Sequence, residues 1–290
     1  MFKHVISLMR PHQWLKNLFV FLPMFFSGNM HNGGYWGMSF LGFCVFCFAA
    51  SSVYALNDLL DVASDRKHPI KCKRPLASGA ISRKMAIAIS VVNAIFALGV
   101  SALIPNKWAL GVTGLYLFLN VAYCFWLKHI AIVDVLIVSF GFVLRLLLGG
   151  LATGIHLSQW IVLMTYLLAL FLAVAKRRDD VIMFEQEGTM VRQNIQGYNL
   201  PFVSLAMGVL AAVMIVCYIM YTVSPDVIAR LQTRHLYITT LFVVAGILRY
   251  LQLTLVEGKS GSPTKVLIRD TLIQCCLLAW VLVFVIIIYC

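Results

Sequence analysis

The chain has 290 residues, of which 61% are hydrophobic and 12% charged, and it carries a formal charge of +12. So apolar a composition excludes an ordinary soluble fold and predicts an all-α, polytopic membrane protein, one domain over residues 1–290. Apolar runs of about 20 residues, enough to cross roughly 30 Å of hydrocarbon as helix, recur along the whole length.

The opening segment, MFKHVISLMRPHQWLKN, is basic and interrupted by Pro11. The apolar stretch after it lacks a small-residue cleavage site, so no removable signal peptide is expected. Windows of about 19 residues predict nine spans, near 15–28, 36–58, 85–104, 108–126, 131–153, 159–175, 200–222, 236–254 and 270–289. The first is short and contains Pro23, so a kink or break is expected there. Most of the eight cysteines fall inside apolar runs, where cysteine acts as a small hydrophobe. Gly149, Gly150 and Gly154 are read as allowing close helix approach.

Lys and Arg concentrate in every second inter-helix segment, and such loops stay cytoplasmic. The opposite side holds only Lys107, Arg230 and Arg234 among basic residues and only Asp226 among acidic ones. The N-terminus is therefore expected in the cytoplasm, the C-terminus outside, and the chemistry at the cytoplasmic face of the membrane. Anionic lipid headgroups account for the isolated basic residues. They do not account for the loop from Asn57 to Lys84, where acids and bases are interleaved.

If the second helix continues, Asn57, Asp61 and Asp65 recur every fourth residue along one stripe, with Asp58 beside it. Carboxylates so placed repel one another unless a cation joins them, and hard oxygen ligands suit Mg²⁺, with Mn²⁺ as the alternative. Mg²⁺ commonly completes its shell with substrate phosphate oxygens, so a metal-bound diphosphate is the natural guest. Arg66, Lys67, His68, Lys71, Lys73 and Arg74 follow at once, placed to meet phosphate oxygens that the metal leaves uncovered. Arg145 lies within a predicted span, where an unpaired charge is expensive, so it should face a polar partner: a substrate phosphate or Asp134. Asp134 lies eleven residues away, about three helical turns, which disfavours a direct bond.

The string Asn57-Asp58-x-x-Asp61-x-x-x-Asp65-Arg66, with His68-Pro69 and Arg74-Pro75-x-Ala77-Ser78-Gly79 after it, resembles the UbiA superfamily of intramembrane prenyltransferases. That resemblance implies a nine-helix bundle in which the first acidic motif holds Mg²⁺ on a diphosphate and a second polar motif follows the sixth helix. The corresponding segment is Lys176-Arg177-Arg178-Asp179-Asp180, a basic cluster ending in acids where the aromatic prenyltransferases have a D-x-x-x-D. With Arg10-Pro11-x-Gln13-Trp14-x-Lys16-Asn17, Tyr123-Cys124-x-x-Leu127-Lys128, Gly141 to Arg145, Leu248-Arg249-Tyr250 and Arg269-Asp270, the chain resembles the decaprenyl-phosphate phosphoribosyltransferase branch.

The branch implies a phosphoribosyl pyrophosphate donor, a polyprenyl phosphate acceptor, and a product destined for cell-envelope glycan. By that resemblance Asn57, Asp58, Asp61, Asp65 and Asp180 would hold Mg²⁺, with Asp58, Asp61 and Asp65 catalytic. Lys16, Arg66, His68, Lys71, Arg74, Tyr123, Lys128, Arg145, Lys176 and Arg177 would bind substrate phosphates. Membrane lipids are the expected surroundings, nucleic acid is not an expected partner, and the oligomeric state is open. Two other readings compete: an aromatic prenyltransferase with a polyprenyl diphosphate donor, for quinone or haem side chains, and a transporter or flippase. A transporter should show broken central helices and internal repeats, which are not evident, and the acids cluster at one face instead.

Overall fold

A computed structural model describes residues 2–28, 30–67, 70–187, 194–258, 266 and 269–289, and every regular element among them is helical. The chain forms two compact units, Met1–Lys128 with Gly141–Leu157, and His129–Phe140 with Ser158–Cys290. Among the described residues eight helices are long and apolar enough to span a bilayer; seven coincide within a few residues with spans expected from sequence, and the remaining one begins at Gln159 as expected but runs on past 175. The protein is a multi-span membrane protein.

Unit one opens with α1 (Phe2–Met9) and a 3₁₀ segment, Pro11–Phe21, that runs on into α2 (Leu22–Phe26). This is the expected interruption of the first span. At about 2.0 Å per residue in 3₁₀ and 1.5 Å in α form, the sixteen residues reach roughly 30 Å. Two glycines receive the segment. A Cβ on Gly42 would meet the Val20 side chain at 3.0 Å, and one on Gly149 would lie 2.1 Å from the Val20 carbonyl oxygen. The close approach read from Gly149 is therefore real, and it seats the 3₁₀ backbone against the membrane helices.

The central helix of unit one is α3 (Gly33–Leu60), which Asn32 caps by accepting from the Gly34 amide at 2.9 Å. It ends at Asp61, whose backbone leaves helical geometry (φ −90°, ψ 3°), and α4 (Val62–Lys67) resumes at once. The chain then passes a turn region, in which Gly79 takes φ +79°, to α5 (Arg83–Ala102), capped by Ser82, and α6 (Trp108–Phe125). Both pack on α3 and on each other. α7 (Val133–Thr153) passes from unit two into unit one after Phe140.

Unit two contains α8 (Gln159–Glu187), α9 (Leu200–Val223), the short α10 (Pro225–Leu231), α11 (Thr240–Leu255) and α12 (Thr271–Tyr289). Its core draws Val135, Phe171, Met207, Tyr250 and Ile273 from five helices. α8 runs twelve residues beyond the span expected to end at 175. Within that extension Arg177 donates to Asp180, one turn on, at 2.7 Å, so one cation and one acid are paired along the helix itself.

Candidate phosphate and metal site

The end of α3 gathers most of the expected acids in unit one. Although the helix breaks at Asp61, the amide of Asp61 still donates to the Asn57 carbonyl (3.0 Å) and that of Asp65 to the Asp61 carbonyl (2.8 Å). The four-residue stripe thus survives the break. The Asn57 side-chain amide donates to Asp61 Oδ2 at 3.0 Å, and Lys128 Nζ, 67 positions away, donates to Asp61 Oδ1 at 2.7 Å. The Asp61 side chain remains 30% exposed.

Asp58 and Asp65 are held differently. Asp58, 2% exposed, accepts from Arg10 Nη2 at 2.5 Å and from Arg74 Nη1 at 3.1 Å. The same Arg74 nitrogen donates to Asp65 Oδ2 at 2.7 Å, so one guanidinium ties two of the carboxylates together. Arg66 Nε donates to the Ala77 carbonyl at 3.1 Å and fastens the turn that presents Arg74. Lys71 and Tyr123 are half-buried, Lys16 is exposed on the 3₁₀ segment, and His68 lies outside the described residues.

Arg145 is not gathered with these acids. It is 5% exposed and donates to Asn17 Oδ1 (2.8 Å), the Gly141 carbonyl (2.7 Å) and the Tyr116 hydroxyl (3.1 Å). Its guanidinium carbon lies 5.0 to 5.4 Å from the ring centroids of Phe46, Tyr116 and Phe142. Neutral acceptors and aromatic faces thus solvate a charge that sits inside an apolar unit. Asn17 also donates to Cys47 Sγ at 3.4 Å, which supports the packing role read for that thiol.

Unit two carries a second constellation. Asp134, fully buried, accepts from Arg177 Nε at 2.7 Å and from the Tyr198 hydroxyl at 2.6 Å, while Arg177 Nη1 reaches Asp180 at 2.7 Å. Burial, then the Asp134 carboxylate, push the Tyr198 hydroxyl well above its ordinary range, so it stays a proton donor. Asp134 is therefore the partner of Arg177 and not of Arg145. Lys176 is exposed beside this pair on α8.

Among the described residues no three Asp, Glu, His or Cys side chains converge on a point suited to a metal ion. The donor chemistry nevertheless fits a hard divalent cation at Asn57 and Asp61, which are in contact and, at Asp61, open to solvent. Mg²⁺ is often held by one or two protein ligands and completes its shell with water and phosphate oxygens. Asp58, Asp65 and Asp180, expected as ligands, are each engaged by arginine. Arg10, Asn17 and Asp134 stood outside the expected set. Only the quoted string from Arg10 to Asn17 hinted at the first two.

The sequence profile of the UbiA prenyltransferase family matches residues 18–183. Decaprenyl-phosphate phosphoribosyltransferase from Mycolicibacterium smegmatis is 34% identical over 287 residues, covering 96% of this chain and 90% of the relative. The protein of the same name from Corynebacterium glutamicum is 32% identical, covering 98% and 86%. Among solved structures, a UbiA homolog from Archaeoglobus fulgidus bound to DMAPP and Mg²⁺ superposes with a TM-score of 0.71 at 17% identity, covering 98% of each chain. A digeranylgeranylglyceryl phosphate synthase superposes with a TM-score of 0.67 at 19% identity, again over 98% of each chain.

Proposed function

The chain belongs to the UbiA prenyltransferase family, and from that premise we propose that it transfers the 5-phosphoribosyl group of phosphoribosyl pyrophosphate to a polyprenyl phosphate. The observation that carries the reading is the similarity to decaprenyl-phosphate phosphoribosyltransferases, above 30% identity across nearly the whole chain. Charge supports it. Arg10, Arg74 and Lys128 stand on the acids at the end of α3, a density of fixed cations that suits two phosphorylated substrates. An aromatic acceptor would not need so many.

A polyprenyl phosphate oxygen is already an anionic nucleophile, so displacement at the anomeric carbon of the ribose requires no general base. The protein's task is to orient the two phosphates and to stabilise charge on the departing pyrophosphate. Mg²⁺ held by Asn57 and Asp61 would supply Lewis-acid neutralisation of that leaving group. For Asn57 to serve as ligand its amide turns over to present Oδ1, and for Asp61 the Lys128 ammonium gives up one carboxylate oxygen. Lys128, Arg74 and Arg66 then have phosphate oxygens within their reach as alternative acceptors. Lys16, Lys71 and Tyr123 complete the proposed phosphate-binding set of unit one and Lys176 is the exposed cation proposed in unit two, whereas Arg145 and Arg177 are held by buried partners. Lys and Arg asymmetry supports a cytoplasmic site, with the N-terminus inside and the C-terminus outside the inner membrane of a bacterium whose envelope glycan uses the product.

The test is transfer of label from phosphoribosyl pyrophosphate to polyprenyl phosphate by the purified protein in detergent, with and without Mg²⁺. A metal-dependent, lipid-extractable product is expected. Reaction of a prenyl diphosphate with an aromatic acid instead would keep the family and overturn the donor and acceptor.

A further inference from the structure

The core-facing stripe of α8 is interrupted by a cation. Phe171, Val174, Ala175 and Val181 belong to the apolar core of unit two, and Arg178 falls among them at helical spacing, about two turns after Phe171. Arg178 is 7% exposed, and its Nε and Nη1 are buried without a hydrogen-bond partner among the described residues. Buried polar groups are normally satisfied, and an unmatched buried charge costs far more than a neutral group. Lys176, the exposed cation two residues earlier, lies about 200° around the helix, so the two do not share a face.

Neighbouring acids do not answer this charge. Asp134 and Asp180 both accept from Arg177 instead. Asp179 is next in sequence, and adjacent residues of a helix do not face each other. A neutral donor of the same core is in the same state: Tyr250 on α11 is 6% exposed, with its hydroxyl buried and without a partner among the described residues. Its ring centroid stands 5.2 Å from that of Phe171. Helical side chains lean toward the N-terminus, which inclines Arg178 back along α8 toward the level of Phe171 and Tyr250. The apolar run expected from sequence ends at 175, so Arg178 comes about 4.5 Å further along, where hydrocarbon gives way to headgroups.

We propose that Arg178, with the Tyr250 hydroxyl as a second donor, forms an anion site within unit two that takes a phosphate oxyanion at the membrane surface. It uses none of the residues at the end of α3, and its ligand is neither the donor nor the acceptor of the proposed transfer. Phosphate is the anion that a bilayer surface presents, and basic pockets between spanning helices take anionic lipid headgroups. A planar guanidinium matches its oxygens.

The full-length protein in detergent, stripped of bound lipid phosphorus, is melted with phosphatidylglycerol, with diacylglycerol as a lipid lacking phosphate, and with inorganic phosphate. Phosphatidylglycerol should raise the parent's thermal midpoint by about 3 °C or more, and diacylglycerol should not. Arg178→Gln should lose most of that rise, Arg178→Lys should keep part of it, and Tyr250→Phe should reduce it. Inorganic phosphate also meets the cations near α3, so that arm is read as the difference between parent and Arg178→Gln. A difference there makes free phosphate sufficient as ligand, and none beside a full lipid effect makes the headgroup the ligand. Without any anion Arg178→Gln should melt no lower than the parent, because it removes an unmatched buried charge. A variant that melts about 3 °C or more lower, or fails to fold, would mean that the fold itself pairs Arg178 and would overturn the site. Equal stabilisation of parent and Arg178→Gln by phosphatidylglycerol, an equal effect of diacylglycerol, or a parent that responds to neither form of phosphate would overturn it too.

Discussion

Charged side chains in this protein fall into two kinds, those that solvate one another inside the fold and those that keep donors or acceptors at its surface. Asp61 belongs to the second kind, with a side chain 30% exposed. Asp61→Asn is predicted to abolish turnover and to shift metal dependence while leaving the thermal midpoint within a few degrees, because it removes the charge of a proposed ligand and no packing. Unchanged activity would remove Asp61 from the metal site. Asp134 belongs to the first kind, since it is fully buried beneath Arg177 and Tyr198. Breaking a buried pair from one side leaves an uncompensated charge, so Asp134→Leu is predicted to cost about 3–5 kcal/mol. The loss would be read as a fall in the denaturation midpoint in detergent.

Helices approach one another where side chains are small, and the 3₁₀ segment depends on this most. A methyl group at Gly149 would stand 2.1 Å from the Val20 carbonyl oxygen and 2.9 Å from its carbonyl carbon, and both are backbone atoms that cannot swing aside. Gly149→Ala is predicted to destabilise the protein by about 3 kcal/mol, the upper end for overpacking. Gly208→Ala on α9, where a Cβ meets nothing within 4 Å, should be neutral or mildly stabilising. Equal midpoints for the two variants would contradict the seating of the segment. Beside the apolar packing of α11 on α12 there is an ion pair: Arg249 donates to Asp270 at 2.8 Å, and that bond holds the Asp270 carboxyl below its ordinary value. A lowered carboxylate contributes stability that is complete above its unfolded pKa of about 3.9 and is lost as pH falls through the lower folded value. Asp270→Asn should therefore lower stability near neutrality and flatten its acid-side decline, so that variant and parent converge at low pH.

At the scale of the whole molecule, the spanning helices carry the apolar surface that keeps the chain in lipid, and the proposed function adds binding of phosphorylated substrates. Large apolar residues such as Ile95, Phe96, Phe118, Leu205 and Leu278 are exposed along the spanning helices, as lipid-facing positions require. Because the proposed substrates carry several negative charges, raising ionic strength should weaken apparent affinity for phosphoribosyl pyrophosphate more than it changes the maximal rate. A salt-independent affinity measured across about 0.05–0.5 M would argue against binding by the arginine and lysine set.

Apolar runs were enough to place seven of the nine spans within a few residues and to fix where an eighth begins, since burial in lipid constrains the length and composition of a spanning helix. The spacing of Asn57, Asp61 and Asp65 was also legible, because the i to i+4 relation is local and survives the break at Asp61. Pro11 and Pro23 announced an interrupted first span, though not that it would become 3₁₀ helix seated on Gly149. What the tertiary structure alone decided is which charge meets which. Arg10 with Asp58, Arg177 with Asp134 and Arg145 with Asn17 join residues 48, 43 and 128 positions apart. No periodicity records such pairs, because they are chosen by how helices pack and by the cost of leaving a buried charge unmatched.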